Sequence, residues 1–331
     1  CLERTFRGHR DGVTSVSFNP TMRQLASGGI DSNVMLWNFK PTLRAFRLVG
    51  HKAPVCHVEF APSGSMIASA SQDRTVRLWL PSARGESTVL KGHNGAVRSV
   101  TFSRNGRLLL TASDDKTAKV WELQCRKFLC TLQGHSNWVR SAVFSPDTRL
   151  AATGSDDKSV RLWDVSRHKC LHAFYDHSGN VHEVCFHPSG TSVAAGGADC
   201  SIKLWDTRSY GLVQHYPAHA GPVNSLRFHP SGNYILSASD DNMLKIWDVR
   251  EGRLLYTLHG HAGPVYGVAF NPDGAYFASA GADHMVMVWR SNLTQENQAA
   301  TAHPPVTPIS GGGGGAPAAG STRATTGGQP G

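Results

Sequence analysis

The segment GHKAPVCHVEFAPSGSMIASASQDRTVRLW, residues 50–79, decides the fold of this chain. Short β-branched and apolar runs alternate in it with turn-forming residues, which is typical of a β-meander. The turn Ala61-Pro62-Ser63-Gly64 separates the first two runs, and Asp73 lies in the tight turn before the third. With the run that follows, the pattern predicts four strands, over Val55–Phe60, Met66–Ser71, Thr75–Trp79 and Ser87–Leu90.

The pattern recurs seven times with a spacing of 42 residues, and three positions repeat in all seven copies. They are His9, His51, His93, His135, His177, His219 and His261; Asp31, Asp73, Asp115, Asp157, Asp199, Asp241 and Asp283; and Trp37, Trp79, Trp121, Trp163, Trp205, Trp247 and Trp289. A 42-residue repeat with Gly-His early and Trp-Asp late resembles the WD40 repeat. The resemblance implies an all-β, seven-bladed WD40 β-propeller.

The two ends of the repeat array indicate how the ring closes. The last repeat has only three strands, ending with Met285–Trp289, and the missing strand, Leu2–Phe6, precedes the first Gly-His. We therefore predict a propeller domain over residues 1–293, closed by the N-terminal strand so that no long sheet edge stays open. Residues 294–331 are rich in Gly, Ala, Pro and Thr and predict a flexible, disordered tail. Because the chain begins at Cys1, we expect the natural N-terminus to lie upstream.

Each repeat combines a histidine, a strand hydroxyl and an aspartate, which superficially matches a hydrolase triad. Seven equivalent nucleophiles do not suit an enzyme, so we expect no catalytic residue. In WD40 repeats these groups resemble a buried hydrogen-bonded chain that ends at the tryptophan indole. In six repeats the chain is His9, Ser27, Asp31, Trp37; His51, Ser69, Asp73, Trp79; His93, Thr111, Asp115, Trp121; His135, Thr153, Asp157, Trp163; His219, Ser237, Asp241, Trp247; and His261, Ser279, Asp283, Trp289. In repeat five Ala195 replaces the hydroxyl, which predicts the least stable blade.

A propeller binds partners through its faces, and the turns around the repeated His and Asp residues predict one such surface, the top face. Most side chains at these positions are small, and the large ones predict a partner-binding site, namely Arg98, Trp138, Arg140, His182 and Tyr266. An exposed tryptophan flanked by arginines is typical of an interface hot spot. The alternative is that Trp138 packs over its own blade.

Charge is distributed unevenly along the chain. Residues 1–169 contain 25 Lys+Arg and 13 Asp+Glu, a net charge of +12, whereas residues 170–331 contain 8 and 11, a net charge of −3. Some basic residues occupy ordinary solvated positions, but others cluster in the turns of the opposite, bottom face: Arg23, Arg84, Arg104, Arg107, Arg126, Lys127, Arg149, Arg167 and Lys169. A basic half-ring predicts an acidic partner such as tubulin, an acidic protein segment or nucleic acid. Nucleic acid ranks lower because no stacking aromatics alternate with the arginines.

Several other classes of function receive no support. We expect no cofactor and no small-molecule substrate, because neither a phosphate-binding glycine loop nor a Walker pattern is present. His168, Cys170 and His172 alternate on one strand, but without a second ligand cluster they do not predict a zinc site. No apolar stretch is long enough to span a bilayer, so no membrane role is expected. Seven cysteines without a regular framework predict free thiols in the cytosol or nucleus.

Beyond the repeat consensus, several stretches of residues 1–293 resemble the centriolar WD-repeat family called proteome of centriole protein 1. They are Leu2-Glu3-Arg4, Gly8-His9-Arg10-Asp11, Gly85-Glu86-Ser87-Thr88-Val89, Asn137-Trp138-Val139-Arg140, the run 251–261 (EGRLLYTLHGH) and the run 286–292 (VMVWRSN). The resemblance implies a structural component of centrioles and ciliary basal bodies, with microtubules and other centriolar proteins as partners. It also implies a C-terminal coiled coil, but no heptads follow residue 293.

Two other classes of function remain as alternatives. Trp205-Asp206-Thr207-Arg208 and Trp247-Asp248-Val249-Arg250 match the short Trp-Asp-x-Arg pattern of substrate receptors of cullin-4 ubiquitin ligases. Because this pattern is short and recurs in unrelated propellers, it favours that class only weakly. The second alternative is a WD40 scaffold in RNA processing, which would require salt-sensitive RNA binding.

Overall fold

The computed structural model describes residues 1–40, 43–82 and 85–293. These residues form seven four-stranded antiparallel sheets, which confirms the predicted seven-bladed propeller. The innermost strand of each blade begins at a valine: β2 (Val13–Phe18), β6 (Val55–Phe60), β10 (Val97–Phe102), β14 (Val139–Phe144), β18 (Val181–Phe186), β22 (Val223–Phe228) and β26 (Val265–Phe270). The second strands are β3 (Gln24–Gly29), β7 (Ile67–Ser71), β11 (Leu108–Ser113), β15 (Leu150–Ser155), β19 (Ser192–Gly197), β23 (Tyr234–Ser239) and β27 (Tyr276–Gly281).

The third strand of each blade carries the repeated tryptophan and pairs with the outermost strand. The third strands are β4 (Val34–Asn38), β8 (Thr75–Trp79), β12 (Thr117–Glu122), β16 (Val160–Asp164), β20 (Ser201–Asp206), β24 (Met243–Asp248) and β28 (Met285–Arg290). The outermost strands are β5 (Phe46–Leu48), β9 (Ser87–Lys91), β13 (Lys127–Gln133), β17 (Lys169–Phe174), β21 (Leu212–Pro217), β25 (Arg253–His259) and β1 (Leu2–Arg7). Blades one to seven follow this order, and the seventh combines β26–β28 with β1.

The N-terminal strand closes the ring as predicted. Strand β1 pairs antiparallel with β28, Leu2 opposite Trp289 and Arg7 opposite Met285. The Phe6 ring stacks on Trp37 of blade one, with 5.2 Å between the ring centroids, so β1 also contacts the next blade. The predicted tail, residues 294–331, lies outside the described residues.

The hydrophobic core lies between consecutive blades rather than in one central mass. Between blades one and two, for example, Leu36 and Leu48 pack against Val58 and Trp79. The blades approach so closely that a Cβ on Gly28 would lie 2.7 Å from a Val55 methyl carbon, which explains the glycine there. Burial of these apolar surfaces drives the ring to close.

The alternation of antiparallel strands sorts the turns into two sets at opposite ends of the blades. The turns that contain the repeated His and Asp residues form the top face, and the β2–β3 and β4–β5 turns with their equivalents form the bottom face. The innermost strands contact one another around the ring and line a central channel. In the three described ranges, no helix has the length and apolar character that crossing a bilayer requires.

Candidate functional site

The repeated polar residues form the same buried hydrogen-bonded chain in six blades. The Trp indole N–H donates to the strand hydroxyl over 2.8–3.0 Å, and that hydroxyl lies 2.7–2.8 Å from Nε2 of the histidine. Nδ1 of the histidine lies 2.7–3.1 Å from the aspartate. The chain thus joins the second and third strands of a blade to its top turns.

The protonation of these groups suits a structural role. Burial lowers the pKa of His9, His51 and His135, so these imidazoles are neutral at pH 7. Partial burial alone would raise the pKa of Asp73, but hydrogen bonds from Thr75 and His51 lower it to about 2. A neutral imidazole donates from Nδ1 to the carboxylate and accepts the hydroxyl proton at Nε2. The six hydroxyls are fully buried, so no substrate can reach them in this arrangement.

Blade five replaces this chain with a different arrangement. Because Ala195 has no hydroxyl, the Trp205 indole donates instead to Oδ2 of Asp176 over 2.7 Å. Nδ1 of His177 keeps its aspartate, Asp199, at 2.8 Å, but its Nε2 is buried without a partner in the described structure. Lys203 Nζ donates to Asp199 over 3.0 Å. The tryptophan indole has therefore gained a new acceptor, and Nε2 of the histidine has lost its hydroxyl donor.

On the top face, the structure brings four of the five predicted residues together at one cavity. Arg98, Arg140, His182 and Tyr266 all line the upper part of the central channel, a cavity of about 380 Å³. Burial, followed by the charge of Arg140, lowers the pKa of His182. These four side chains come from blades three, four, five and seven, and Glu183 and Arg227 line the same cavity.

Trp138 lies beside this cavity and contacts two of its arginines. The guanidinium carbons of Arg140 and Arg98 lie 5.2 Å and 5.8 Å from the Trp138 ring centroid. Each guanidinium is held by a bidentate pair, Arg98 with Asp114 at 2.6–2.8 Å and Arg140 with Asp156 at 2.7–2.8 Å. The indole remains 42% exposed, so it packs on its neighbours and still presents a face to solvent.

A cluster of ionisable residues deeper in the channel was not predicted from the sequence. Arg227 Nη1 donates to Oε1 of Glu183 over 2.7 Å, and its Nη2 lies 3.3 Å from Nε2 of His57. Arg227 and His57 line both the upper cavity and a lower cavity of about 300 Å³, so they form the neck between the two. The equivalent positions of most other repeats are serine or small apolar residues, a contrast that could have identified the cluster.

Burial controls the charge of His57 at the neck and of Glu59, which lines the lower cavity. It lowers the pKa of His57 to about 4 and raises the pKa of Glu59 to about 8, although Arg227 partly opposes the latter shift. Both groups are therefore largely uncharged at neutral pH, and they lie beside the ion pair of Arg227 with Glu183. Oε2 of Glu59 accepts the Phe102 backbone N–H over 3.1 Å, which fixes the carboxyl in place.

The predicted basic residues that the structure describes all lie exposed at the bottom ends of blades one, three and four: Arg23, Arg104, Arg107, Arg126, Lys127, Arg149, Arg167 and Lys169. Arg84 lies outside the described residues. Arg149 and Arg167 approach Asp147 and Asp164 at 3.8 and 4.0 Å, and the other six have no carboxylate within 4 Å among the described residues. The bottom face therefore presents basic groups that are free to meet an acidic partner.

Two further sequence patterns have structural explanations. The carboxylates of Asp206 and Asp248 accept backbone N–H groups of the turns that follow them, including those of Arg208 and Arg250, so the Trp-Asp pair caps a turn. The Arg208 and Arg250 side chains are exposed. The His172 ring stacks on Tyr210 at 4.5 Å. In the part of the chain that the structure describes, no three His, Cys, Asp or Glu residues lie close enough to hold a metal ion.

Comparison with known proteins reveals matches at two levels. The family profile described as "WD domain, G-beta repeat" matches seven segments that together cover most of the chain: 1–38, 43–79, 85–122, 126–164, 168–206, 211–248 and 252–290. Over 46 residues, 14% of the chain, the sequence is 63% identical to POC1 centriolar protein homolog A of Xenopus tropicalis and 56% identical to that of Danio rerio. Over the same length it is 54% identical to POC1 centriolar protein homolog B of Xenopus laevis. The matched segment spans about a tenth of each of these relatives.

Proposed function

Because this chain belongs to the WD-domain, G-beta-repeat family, we propose that it is a non-catalytic scaffold that assembles protein partners in centrioles and ciliary basal bodies. In this role the chain binds microtubules. Its basic bottom face contacts tubulin and braces the microtubule triplets. The centriolar names of the relatives support the location. The buried state of every His–hydroxyl pair supports a binding role rather than catalysis.

The observation that carries the tubulin assignment is the row of exposed cationic side chains on the bottom of blades one, three and four. Tubulin has a strongly acidic outer surface, and complementary potentials accelerate and orient association. Single exposed ion pairs contribute about 0–1 kcal/mol each, so many cations on one face are required for useful affinity. The bottom face provides such a set.

The top face supplies a second docking surface in this proposal, for centriolar proteins other than tubulin. Trp138 is the anchor, because an exposed indole held between two arginines offers apolar area at a small cost in entropy. The carboxylates of Asp114 and Asp156 fix the arginines before a partner arrives. One propeller can then bridge a microtubule and another protein.

Co-sedimentation of the full chain with stabilised microtubules tests the proposal. The test variant reverses four bottom-face charges, Arg104, Arg107, Arg126 and Lys127 to Glu. The matched control reverses four exposed charges at the top ends of the blades, Arg7, Arg10, Lys52 and Lys91 to Glu, and so has the same net charge. Binding is expected to weaken with salt and to be lost in the bottom-face variant alone.

Two results would contradict the tubulin contact. If the folded wild-type chain does not sediment with microtubules at low salt, a centriolar role must depend on another protein. If both variants lose binding equally, the interaction reflects net charge rather than a defined bottom face.

A further inference from the structure

A groove between blades three and four opens at the bottom edge of the propeller. Its volume is about 620 Å³, within the range of sites that hold a few side chains or a small ligand. The buried side chains of Val120 and Val165 form its floor and belong to the core between the two blades. Leu129 forms part of the wall and is 44% exposed. An apolar surface therefore remains accessible to solvent at this point.

A local irregularity of β13 marks the position of Leu129 in the wall. Val120 pairs with Cys130 and Trp121 with Phe128, so Leu129 is the extra residue of a β-bulge. A bulge leaves its extra residue unpaired and changes the direction of the strand. Leu129 is thus available to a partner without loss of a regular strand pair.

The rim of the groove is basic. The side chains of Arg149 and Arg167 are 85% and 77% exposed, and both line the groove. Their distances to Asp147 and Asp164 are at the limit of ion pairing, and exposed pairs of this kind contribute little. The Asp164 carboxylate is engaged with the backbone N–H groups of Ser166 and Arg167. The two guanidinium groups can therefore bind a carboxylate of a partner.

The equivalent positions of the next blades have different side chains. Between blades four and five, Thr191 and Ser209 replace the two arginines, and Tyr210 replaces His168 and stacks on His172. Between blades five and six the two positions are Asn233 and Glu251. The combination of an apolar floor and two arginines at the rim is therefore particular to the groove between blades three and four among these three interfaces.

We propose that this groove binds an acidic peptide segment of a partner protein, with one bulky aliphatic or aromatic side chain inserted beside Leu129 and flanking carboxylates on Arg149 and Arg167. Charge complementarity selects an acidic segment, and the apolar floor selects the anchor side chain. This inference goes beyond the proposed function, because it specifies the chemistry of a bound segment and applies whichever protein carries that segment.

Selection of a displayed library of random peptides on the full chain tests the proposal. It identifies a peptide ligand even though the protein that carries the natural segment is not specified. The library is counter-selected on the variant Arg149→Glu/Arg167→Glu, whose two changes are at exposed positions. We expect the retained peptides to place Asp or Glu next to a Leu, Phe or similar residue. Failure to obtain peptides that distinguish the wild type from this variant, or enrichment of neutral or basic peptides, would overturn the proposal.

Fluorescence anisotropy with a selected peptide then locates its site. The dissociation constant should rise at least about tenfold for Leu129→Ser and for the double arginine variant. It should stay unchanged for Leu171→Ser, because Leu171 occupies the same bulge position on β17 with a similar exposure of 41%. Equal affinity for the Leu129 and Leu171 variants would exclude insertion of the anchor beside Leu129.

The two binding experiments fail independently of each other. The microtubule test changes Arg104, Arg107, Arg126 and Lys127, which do not line the groove, whereas the peptide test changes only groove residues. A chain that does not bind microtubules can still bind the acidic peptide. A chain that binds microtubules but not the peptide would contradict the groove proposal alone. A thermal melt of each variant verifies that it is folded.

Discussion

At the scale of single residues, blade five shows that a repeated hydrogen-bonded chain can be replaced locally. The Trp205 indole donates its hydrogen bond to Asp176, while Nε2 of His177 has no hydrogen-bond partner in the described structure. A buried polar atom without a partner costs about 1–3 kcal/mol. The defect is therefore confined to one imidazole nitrogen and can be repaired by a single hydroxyl.

We expect Ala195→Ser to raise the free energy of unfolding by about 1 kcal/mol, because the new hydroxyl can donate to Nε2 of His177. The matched control is Ser237→Ala in blade six, which removes the equivalent hydroxyl and should lower the free energy by about 1–2 kcal/mol. Urea denaturation measures both. A loss of stability in the Ala195 variant would show that the site has no room for the hydroxyl.

The buried carboxyl of Glu59 should make stability depend on pH. Its folded pKa of about 8 exceeds its ordinary value of 4.5, so folding binds a proton between these two pH values. The contribution of Glu59 to stability is complete below pH 4.5 and is lost as the pH rises to about 8, by up to about 1.4 kcal/mol per pH unit. In Glu59→Gln this contribution should be absent.

Urea denaturation of the wild type and Glu59→Gln at several pH values measures this difference. His57, Glu183 and Arg227 face the same carboxyl and are present in both proteins, so the comparison isolates Glu59. A difference in stability that does not change between pH 5 and 8 would contradict a raised pKa for this group.

The sequence could predict the repeated residues of the site but not those that converge from different blades. The spacing of His, hydroxyl, Asp and Trp places all four in one repeat, so their contacts follow from the strand pattern. Arg227 meets His57 across the channel, although 170 residues separate them. The new acceptor of Trp205 was also not predicted, because Asp176 occupies a position that is glycine in most repeats.

At the scale of strands and turns, the predicted elements agree with the observed ones to within one residue. In blade two the first and third strands match, while the second begins at Ile67 rather than Met66 and the fourth ends at Lys91 rather than Leu90. The differences occur only at strand ends, where pairing stops gradually and side-chain pattern gives no sharp limit. The turns were predicted from Pro and Gly, but their backbone conformations were not.

The turn between β14 and β15 holds Thr148 at a φ of 63°, whereas five other blades have glycine at this position. A β-branched residue is strained in this region of φ. We expect Thr148→Gly to stabilise the protein by about 1 kcal/mol in urea denaturation. The control is Gly106→Thr, where the nearest atom to an added Cβ is 3.9 Å away, so only the backbone cost applies. Stabilisation in both variants would contradict the explanation.

At the scale of the whole molecule, the 42-residue period made the fold predictable, because seven equal repeats leave few ways to bury their sheet faces. The unequal distribution of charge then makes one side of a nearly symmetric ring different from the other. The basic turns belong to blades one, three and four, so the exposed basic charge lies on one side of the ring. The repeated residues form the ring, and the residues that differ between repeats form the candidate binding surfaces.

Removal of residues 1–7 should destabilise the entire ring, because it leaves β28 with an unpaired edge. It also removes the stacking of Phe6 on Trp37. We expect the free energy of unfolding to fall by more than about 2 kcal/mol and aggregation to increase. Thermal unfolding with light scattering measures both, and full-length Glu3→Gln is the control with an intact strand. An unchanged melting temperature would contradict closure by β1 as a stabilising element.

The pairing of β1 with β28 also has a consequence in time. Leu2 leaves the ribosome well before its partner Trp289, which follows 287 residues later. At synthesis rates of about 5–20 residues per second, β1 waits for roughly 15–60 s before its partner exists. Throughout that interval β1 is an unpaired strand that precedes a growing row of blades. The ring can therefore close only after all seven repeats have been synthesised.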